Sequence, residues 1–300
     1  MKKGIYLLGL GVLLLLCMDL QAKVRLPHFF SSNMVLQRDM PIRVWGKADK
    51  NEVISVALNG SVQTAKTGKD GIWRVELPAM KAGGPYDMQI ESAEETIGLT
   101  NILIGDVWVC SGQSNMEFGL NNVINAGQEI AASTLPDIRL LNVPKNMQSK
   151  EQFDLEPCEW TACNPQTSPL FTAVGYFFGK ELQPEIGVPV GLIHTSWGGT
   201  NVESWISGKV LQEMPDFSKV VEDIRAMPDK AAMKADYLKA LDAWNNRVDE
   251  GFAAGKPVRA EVSLDDKAWG KLNFPGMVDQ QGLGDFDGLI WLRRTVDIPA

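Results

Sequence analysis

Two short segments carry the residues whose types and spacing suit nucleophilic chemistry. The first is Asp106-Val-Trp-Val-Cys-Ser-Gly-Gln-Ser-Asn-Met-Glu117, an apolar run that ends in a polar turn and continues into helix-compatible sequence. A serine at such a turn, Ser114, is presented near a helix start, where free N–H groups and the helix dipole favour developing negative charge. Gly112 permits the sharp bend, and the N–H of Ser114 can then contribute to an oxyanion hole. A structural alternative stands beside this one: Ser114 as an N-cap, with Glu117 three positions on completing a capping box. The second segment, His194-Thr-Ser-Trp-Gly-Gly-Thr-Asn-Val-Glu-Ser-Trp205, repeats the pattern. Gly198 and Gly199 can bring a bare N–H to a ligand, and the hydroxyl of Thr200 and carboxylate of Glu203 follow just beyond. Here the structural alternative is that the glycines merely start a helix and Trp205 is core.

Such turns need strands and helices to position them. Residues 102–109 and 188–197 are near-continuous apolar runs suited to strands covered on both faces. Residues 117–132, 174–183 and 202–212 are helix-compatible, so strands alternate with helices and predict an α/β layer with a mostly parallel sheet. Ligands bind such sheets at the carboxyl ends of the strands, where both turns fall. Residues 23–100 read instead as a small β-sandwich. Short branched and aromatic runs are separated by Asn59-Gly60, Lys69-Asp70-Gly71 and Gly83-Gly84-Pro85, and Val75 and Leu77 alternate with Arg74 and Glu76. That domain is expected to brace its neighbour. Residues 229–250 predict an amphipathic connecting helix with Tyr237, Leu238, Leu241 and Trp244 on one side, and the chain turns β-like again from about 256.

Composition narrows the chemistry. Of 300 residues, 45% are hydrophobic and 22% charged, an ordinary globular balance that excludes wholesale disorder. The net charge of −8, with no basic run after the first three residues, argues against a nucleic-acid partner. Two histidines exclude a multi-histidine metal centre, and no zinc-type cysteine spacing is present, so no metal and no cofactor are implied. His194, four residues before the glycine pair, reads as a hydrogen-bonded core histidine, and His28 belongs to the β-domain. Lys2 and Lys3 precede an uncharged apolar stretch from Ile5 to Met18 that is short for a bilayer span, so residues 1–22 are expected to be a cleaved signal peptide. Export to the periplasm or exterior follows, with no membrane span. Leu16 stands where lipid-modification sites take a small residue, which sets the lipoprotein reading through Cys17 aside. Cys110 reads as a buried small hydrophobe. For Cys158 and Cys163, five positions apart, a local disulfide and two free thiols are equally compatible with the sequence.

These residues carry a family resemblance. Gly112-Gln-Ser-Asn-Met116, together with Gly198-Gly-Thr200 and Glu203-Ser-Trp205, resembles the sialate O-acetylesterase family of SGNH hydrolases. Asn33-Met-Val-Leu-Gln-Arg38 and Val44-Trp-Gly46 are similar to that family's N-terminal β-domain, and the stretch from Asp285 to Pro299 resembles the start of the sugar-binding jelly-roll domain of family-2 glycosidases. The resemblance implies an SGNH-hydrolase-like, flavodoxin-like three-layer α/β core over residues 101–250. A β-sandwich (23–100) would precede it, and the beginning of an inserted jelly-roll β-domain (251–300) would follow. It implies serine-nucleophile hydrolysis of acetyl esters on sugars, sialate 9-O-acetylesterase-like, with an acetylated sugar or glycan as substrate. Ser114 would attack, its N–H and one from Gly198 or Gly199 would form part of the oxyanion hole, and Gln113 and Asn115 would orient the loop or the substrate. The family's catalytic Asp and His lie in an Asp-x-x-His block that these 300 residues do not contain. The chain is therefore expected to be an N-terminal portion, weakly active or inactive alone. Acetylxylan or other sugar deacetylation is the nearest alternative, followed by a non-catalytic carbohydrate-binding protein. A glycosidase would need a second carboxylate opposite Glu203, and none is evident.

Overall fold

The computed structural model describes residues 24–228, 230–248, 258–284, 288 and 290–298. The expected signal segment with Cys17 lies outside them, as do residues 251–257 and, in the expected jelly-roll tail, 285–287, 289 and 299–300. The described residues up to Arg225 form one compact unit and those from Ala226 a second. In the first, strands β1 (Val35–Gln37), β2 (Ile42–Lys47), β3 (Val53–Leu58), β4 (Ser61–Lys66), β5 (Ile72–Leu77) and β6 (Gly83–Glu91) lead into a 17-residue strand, β7 (Thr96–Gly112). Later come β8 (Leu135–Asn142), β9 (Trp160–Cys163) and β10 (Val190–Ser196). The main sheet runs β4-β3-β6-β7-β10-β8-β9, with β1 alongside β7, and β2 and β5 form a separate antiparallel pair. The alternation in Ile72–Leu77 holds, with Trp73, Val75 and Leu77 buried and Arg74 and Glu76 exposed.

β7 runs straight through residue 100, where the sequence changes character. Its first part pairs antiparallel with β6, from Glu91 opposite Thr96 to Gly83 opposite Ile104. Along its other edge β1 pairs in parallel as far as Gln37 opposite Gly105. At the next residue β10 takes over, from Val190 opposite Asp106 to Ser196 opposite Gly112. One strand thus belongs to both layers.

The handover is fixed by side chains. Arg38 grips Asp106 with both ends of its guanidinium, Nε to Oδ1 at 2.8 Å and Nη2 to Oδ2 at 3.0 Å. That hydrogen bond holds the Asp106 carboxyl below the usual carboxylate range. Gln37 accepts from the Val107 N–H at 2.9 Å. Asn33 and Asn101, both with left-handed backbone, share an amide hydrogen bond of 2.8 Å. Their oxygens receive the guanidinium of Arg139, which is 5% exposed and drawn below its ordinary pKa by burial.

The parallel part of the sheet has two apolar faces. Ile138, Leu140, Val190, Leu192 and Cys110 meet Ala173 and Tyr176 of helix α3 (Ala173–Ile186). Leu141 and Trp160, with Ile193 and Val107 against them, belong to the apolar cluster of the β-layer. The sequence predicts strands covered on both faces. Among the described residues α3 covers one, and the β-layer closes the other, because β7 carries both layers in one strand.

The polar turn after β7 is also less regular than predicted. Residues 117–132 form no single helix but α1 (Ser114–Glu117), a 3₁₀ turn (Leu120–Asn122) and α2 (Ala126–Ala131). The cause is a pairing with a distant segment: the N–H groups of Leu120 and Asn121 donate to the carbonyls of Phe171 and Pro169, so they are unavailable for helix. Residues 202–212 likewise split, into a 3₁₀ turn (Val202–Trp205) and α4 (Gly208–Gln212) capped by Ser207. A further helix, α5, spans Pro215–Ala226.

In the second unit, α6 (Lys230–Val248) falls where a long helix is expected, with Tyr237 and Leu238 exposed and Leu241 and Trp244 partly buried. The β-like texture beyond it does not become strand. Among the described residues from 258 onward there are only two 3₁₀ turns, and Arg293 is held by the carbonyls of Leu264 and Val262 instead of a ladder partner. A strand needs a neighbouring strand for its N–H and C=O groups, and no strand pairs with these residues among those described. Cys110, Cys158 and Cys163 are all free thiols, which decides against the local disulfide.

Gly105 is the tightest point of the handover. A Cβ there would lie 2.0 Å from the Pro189 carbonyl oxygen, a backbone atom. Gly105→Ala is therefore expected to cost more than the roughly 1–3 kcal/mol of ordinary overpacking. Gly98→Ala in the same strand, with nothing within 4 Å, should change stability little. Urea unfolding midpoints of the two variants check this.

Candidate active site at the ends of three parallel strands

The carboxyl ends of β7, β10 and β8 lie side by side, in register at Cys110–His194 and His194–Asn142. β7 ends at Gly112, whose φ of 142° lies in the region that favours glycine, and the Trp197 N–H donates to its carbonyl at 3.0 Å. Ser114 follows as the first residue of α1. It is exposed, and its hydroxyl has no hydrogen-bond partner among the described residues. A Cβ built on Gly198 would sit 3.7 Å from both Cα and Cβ of Ser114. Two turns 84 positions apart in the chain are thus in contact.

The capping-box alternative does not describe this turn. Gln113, not Ser114, is the N-cap, and no side chain caps it. The Glu117 carboxylate crosses to the second turn, where it accepts the Gly198 N–H and pairs with the Lys145 ammonium. Lys145, then the Gly198 N–H, hold the Glu117 carboxyl below the usual carboxylate range against the effect of burial. The expected pair of donors is consequently unequal. Gly198 has given its N–H to Glu117, a correction to its reading as a bare amide. Gly199, exposed at φ 78°, has no backbone or side-chain acceptor among the described residues.

The other predicted residues divide between scaffold and open surface. Thr200 orients its loop: its hydroxyl donates to the Trp197 carbonyl at 2.7 Å and accepts the Trp205 indole N–H at 2.9 Å. Trp205 is 40% exposed, not core. Gln113 and Asn115 are exposed beside Ser114, and Glu203 is half-buried, its carboxylate without a partner among the described residues.

His194 is the buried hydrogen-bonded histidine its sequence position predicts, 7% exposed. Its Nδ1 lies 2.6 Å from Asn142 Oδ1 and its Nε2 2.6 Å from Ser196 Oγ. With the amide oxygen as acceptor, Nδ1 carries the proton and the Ser196 hydroxyl donates to Nε2. Burial holds the imidazole below the ordinary histidine pKa; Glu117 opposes the shift and Lys145 adds to it. The other histidine, His28, pairs with Asp154 at 2.9 Å. Sequence reasoning missed Lys145, Asn142 and Ser196, and took Glu117 only as a cap. Lys145 carries no motif, and only the strand order β7-β10-β8 brings it to Glu117. Behind the turn, burial pushes the Cys110 thiol up to about 11. No group of three His, Cys, Asp or Glu side chains that could hold a metal occurs among the described residues.

A lowered histidine pKa makes the folded state lose stability on acidification, because the unfolded chain takes up the proton first. Of the two histidine signals in a proton NMR titration, the one removed by His194→Gln should have its midpoint below about 6.5. That variant should also lessen the fall in unfolding midpoint as pH drops below that value.

Comparison with known proteins places this geometry. Residues 104–239 match the family described as carbohydrate esterase, sialic acid-specific acetylesterase. The chain is 31% identical over 226 residues to the sialate O-acetylesterases of Homo sapiens and of Pongo abelii, covering 68% of this chain and 43% of each relative. It thus spans less than half the length of these relatives. A crystal structure of a carbohydrate acetylesterase from Xanthomonas citri matches with a TM-score of 0.62 and 38% identity, over 64% of this chain and 44% of that one. No described helix is long and apolar enough to cross a membrane. Through residues 104–239, which hold both turns and the strands beneath them, the chain belongs to the sialic acid-specific acetylesterase family of carbohydrate esterases.

Proposed function

We propose that this chain carries the nucleophile side of an exported carbohydrate O-acetylesterase built on an SGNH-hydrolase-like core, with Ser114 attacking the acetyl carbonyl of a sugar ester. The observation that carries the reading is the meeting of Ser114, exposed and unpartnered, with the glycine turn at Gly198. Attack converts the carbonyl oxygen to an oxyanion, and fixed N–H donors beside it stabilise the transition state by about 3 kcal/mol each. The Ser114 N–H is one such donor. Gly199 is the member of the glycine pair whose N–H is open, and Gly198 becomes a donor only when Glu117 withdraws. Gln113 and Asn115, exposed on either side, are placed to orient the acyl group or the sugar.

A serine hydroxyl needs a base to attack at neutral pH. Neither histidine supplies one in this arrangement: His28 is bonded to Asp154, and His194 is bonded to Asn142 and Ser196. That same observation favours the second reading, a carbohydrate-binding protein without catalysis. Acetyl release from acetylated sugars by the full-length natural protein separates the two. The esterase reading expects turnover that falls on the order of 10³-fold or more in Ser114→Ala. Unchanged turnover in that variant removes Ser114 as nucleophile, and absence of turnover in the natural protein leaves the binding reading.

A further inference from the structure

The segment after β8 and the second turn form a cleft of about 360 Å³, within the roughly 300–1,000 Å³ of ligand pockets. Its walls include Lys145, Asn146, Gln148, Trp197, Ser204 and Trp205. Two of these tie it to the candidate catalytic turn. Lys145 is bonded to Glu117, and Trp197 directly precedes Gly198, which meets Ser114.

We infer that this cleft is the subsite for the sugar that bears the acetyl group, and that it takes a neutral saccharide, stacked on Trp205, in preference to an acidic one. The inference rests on the esterase reading for the placing of the acetyl group over Ser114. Trp205 presents an indole that is 40% exposed while its N–H is already satisfied by Thr200, so the ring offers an apolar face in a fixed orientation. The C–H face of a pyranose stacks on such a ring. The polar wall suits hydroxyl groups, which donate and accept at once. Gln148 donates to Asn146 Oδ1 at 3.0 Å, which leaves the Asn146 amide N–H₂ and the Gln148 carbonyl oxygen turned to other partners, with the Ser204 hydroxyl nearby.

Charge decides between sugar classes. A sialic acid brings a carboxylate, which calls for an unengaged cation, preferably the planar fork of arginine. The cleft holds no arginine. Its two lysines, Lys145 and Lys150, share the lining with two carboxylates, Asp154 and Glu156; Lys145 is committed to Glu117 and Asp154 to His28, which leaves one ammonium and one carboxylate. The lining is electrically balanced, which favours an uncharged ligand.

Titration of the chain with xylobiose, lactose and N-acetylneuraminic acid, followed by NMR at the Trp205 indole N–H, tests this. A neutral disaccharide should shift that signal saturably and bind at least tenfold more tightly than the acidic sugar. Trp205→Ala should weaken binding tenfold or more, read by calorimetry. Trp205→Tyr, which keeps an aromatic face, should retain most of it, and thermal melting confirms that each variant is folded. Gln148→Ala, which leaves the Thr200–Trp205 bonds in place, should weaken binding several-fold. Tighter binding of N-acetylneuraminic acid, no binding of either disaccharide, or full binding by folded Trp205→Ala overturns the inference. Hydrolysis of p-nitrophenyl acetate, which carries no sugar, reads the reaction separately. Disaccharide binding without that hydrolysis supports the cleft while the reaction reading fails. Hydrolysis without disaccharide binding overturns the cleft and leaves the reaction.

Discussion

The arrangement of this protein depends on one exchange of partners, at Gly105 and Asp106 in the middle of β7. Up to Gly105 the strand is held by β1, and from Asp106 by β10. The Pro189 carbonyl accepts the Asp106 N–H at 2.9 Å and lies directly over Gly105, where no side chain fits. Arg38 and Gln37, the residues at and just beyond the end of β1, hold Asp106 and the Val107 N–H. A strand fastened at that point delivers Gly112 and Ser114 to a defined place seven to nine positions on. The β-layer therefore acts on the site by fixing the strand that carries the serine, consistent with a bracing role.

At the far end of the strand, one carboxylate holds the site together. Glu117 sits on α1, Gly198 on the turn after β10, and Lys145 on the segment after β8, so the Glu117 contacts join the ends of three parallel strands. Lys145 extends the cluster by lying over the Trp197 ring, 5.5 Å from its centre. This link also sets the electrostatics: a carboxylate beside Ser114 is balanced by an ammonium, and the buried His194 feels both charges. An amide that an oxyanion could use is meanwhile occupied by the protein's own anion. In the proposed hydrolysis at Ser114, use of the Gly198 amide requires that carboxylate to yield its place, whereas Gly199 needs no such step.

What sequence could show here was chemistry tied to local pattern. Ser114 in its turn, the Gly198–Gly199 pair, the period-two strand Ile72–Leu77 and the helix over 174–183 all follow from short-range spacing, and the structure has each element within a few residues. What it hid was decided at long range. Asn33–Arg38 stands out as a motif, but nothing local says that its asparagine meets Asn101 and Arg139 or that its arginine meets Asp106. Residues 117–132 have helical composition, yet the backbone at 118–121 bonds to 169–173 and interrupts the helix. Glu117 illustrates the limit best: three positions after a serine it has the spacing of a capping box, and only the neighbouring strand reveals a better donor. The residues from 258 show the converse, a strand-like composition with no partner strand among those described.

The two hydroxyls at this end of the sheet show why neighbouring groups have to be considered together. Ser196 has what a nucleophile needs on one side, an imidazole at 2.6 Å oriented in turn by Asn142, but it is 8% exposed and lies within a strand. Ser114 has what a nucleophile needs on the other side, exposure on a sharp turn that meets the glycine turn at Gly198, but no base. An ester must reach the attacking oxygen before a base can matter, so access is what supports Ser114 over Ser196 in the proposed reaction. Burial lowers the pKa of His194, which is hydrogen-bonded at both nitrogens, so moving it to Ser114 would leave the buried Ser196 hydroxyl without its imidazole partner. The Asn142–His194–Ser196 chain therefore belongs to the scaffold: it sets the end of β10, two residues before the glycine that meets Ser114.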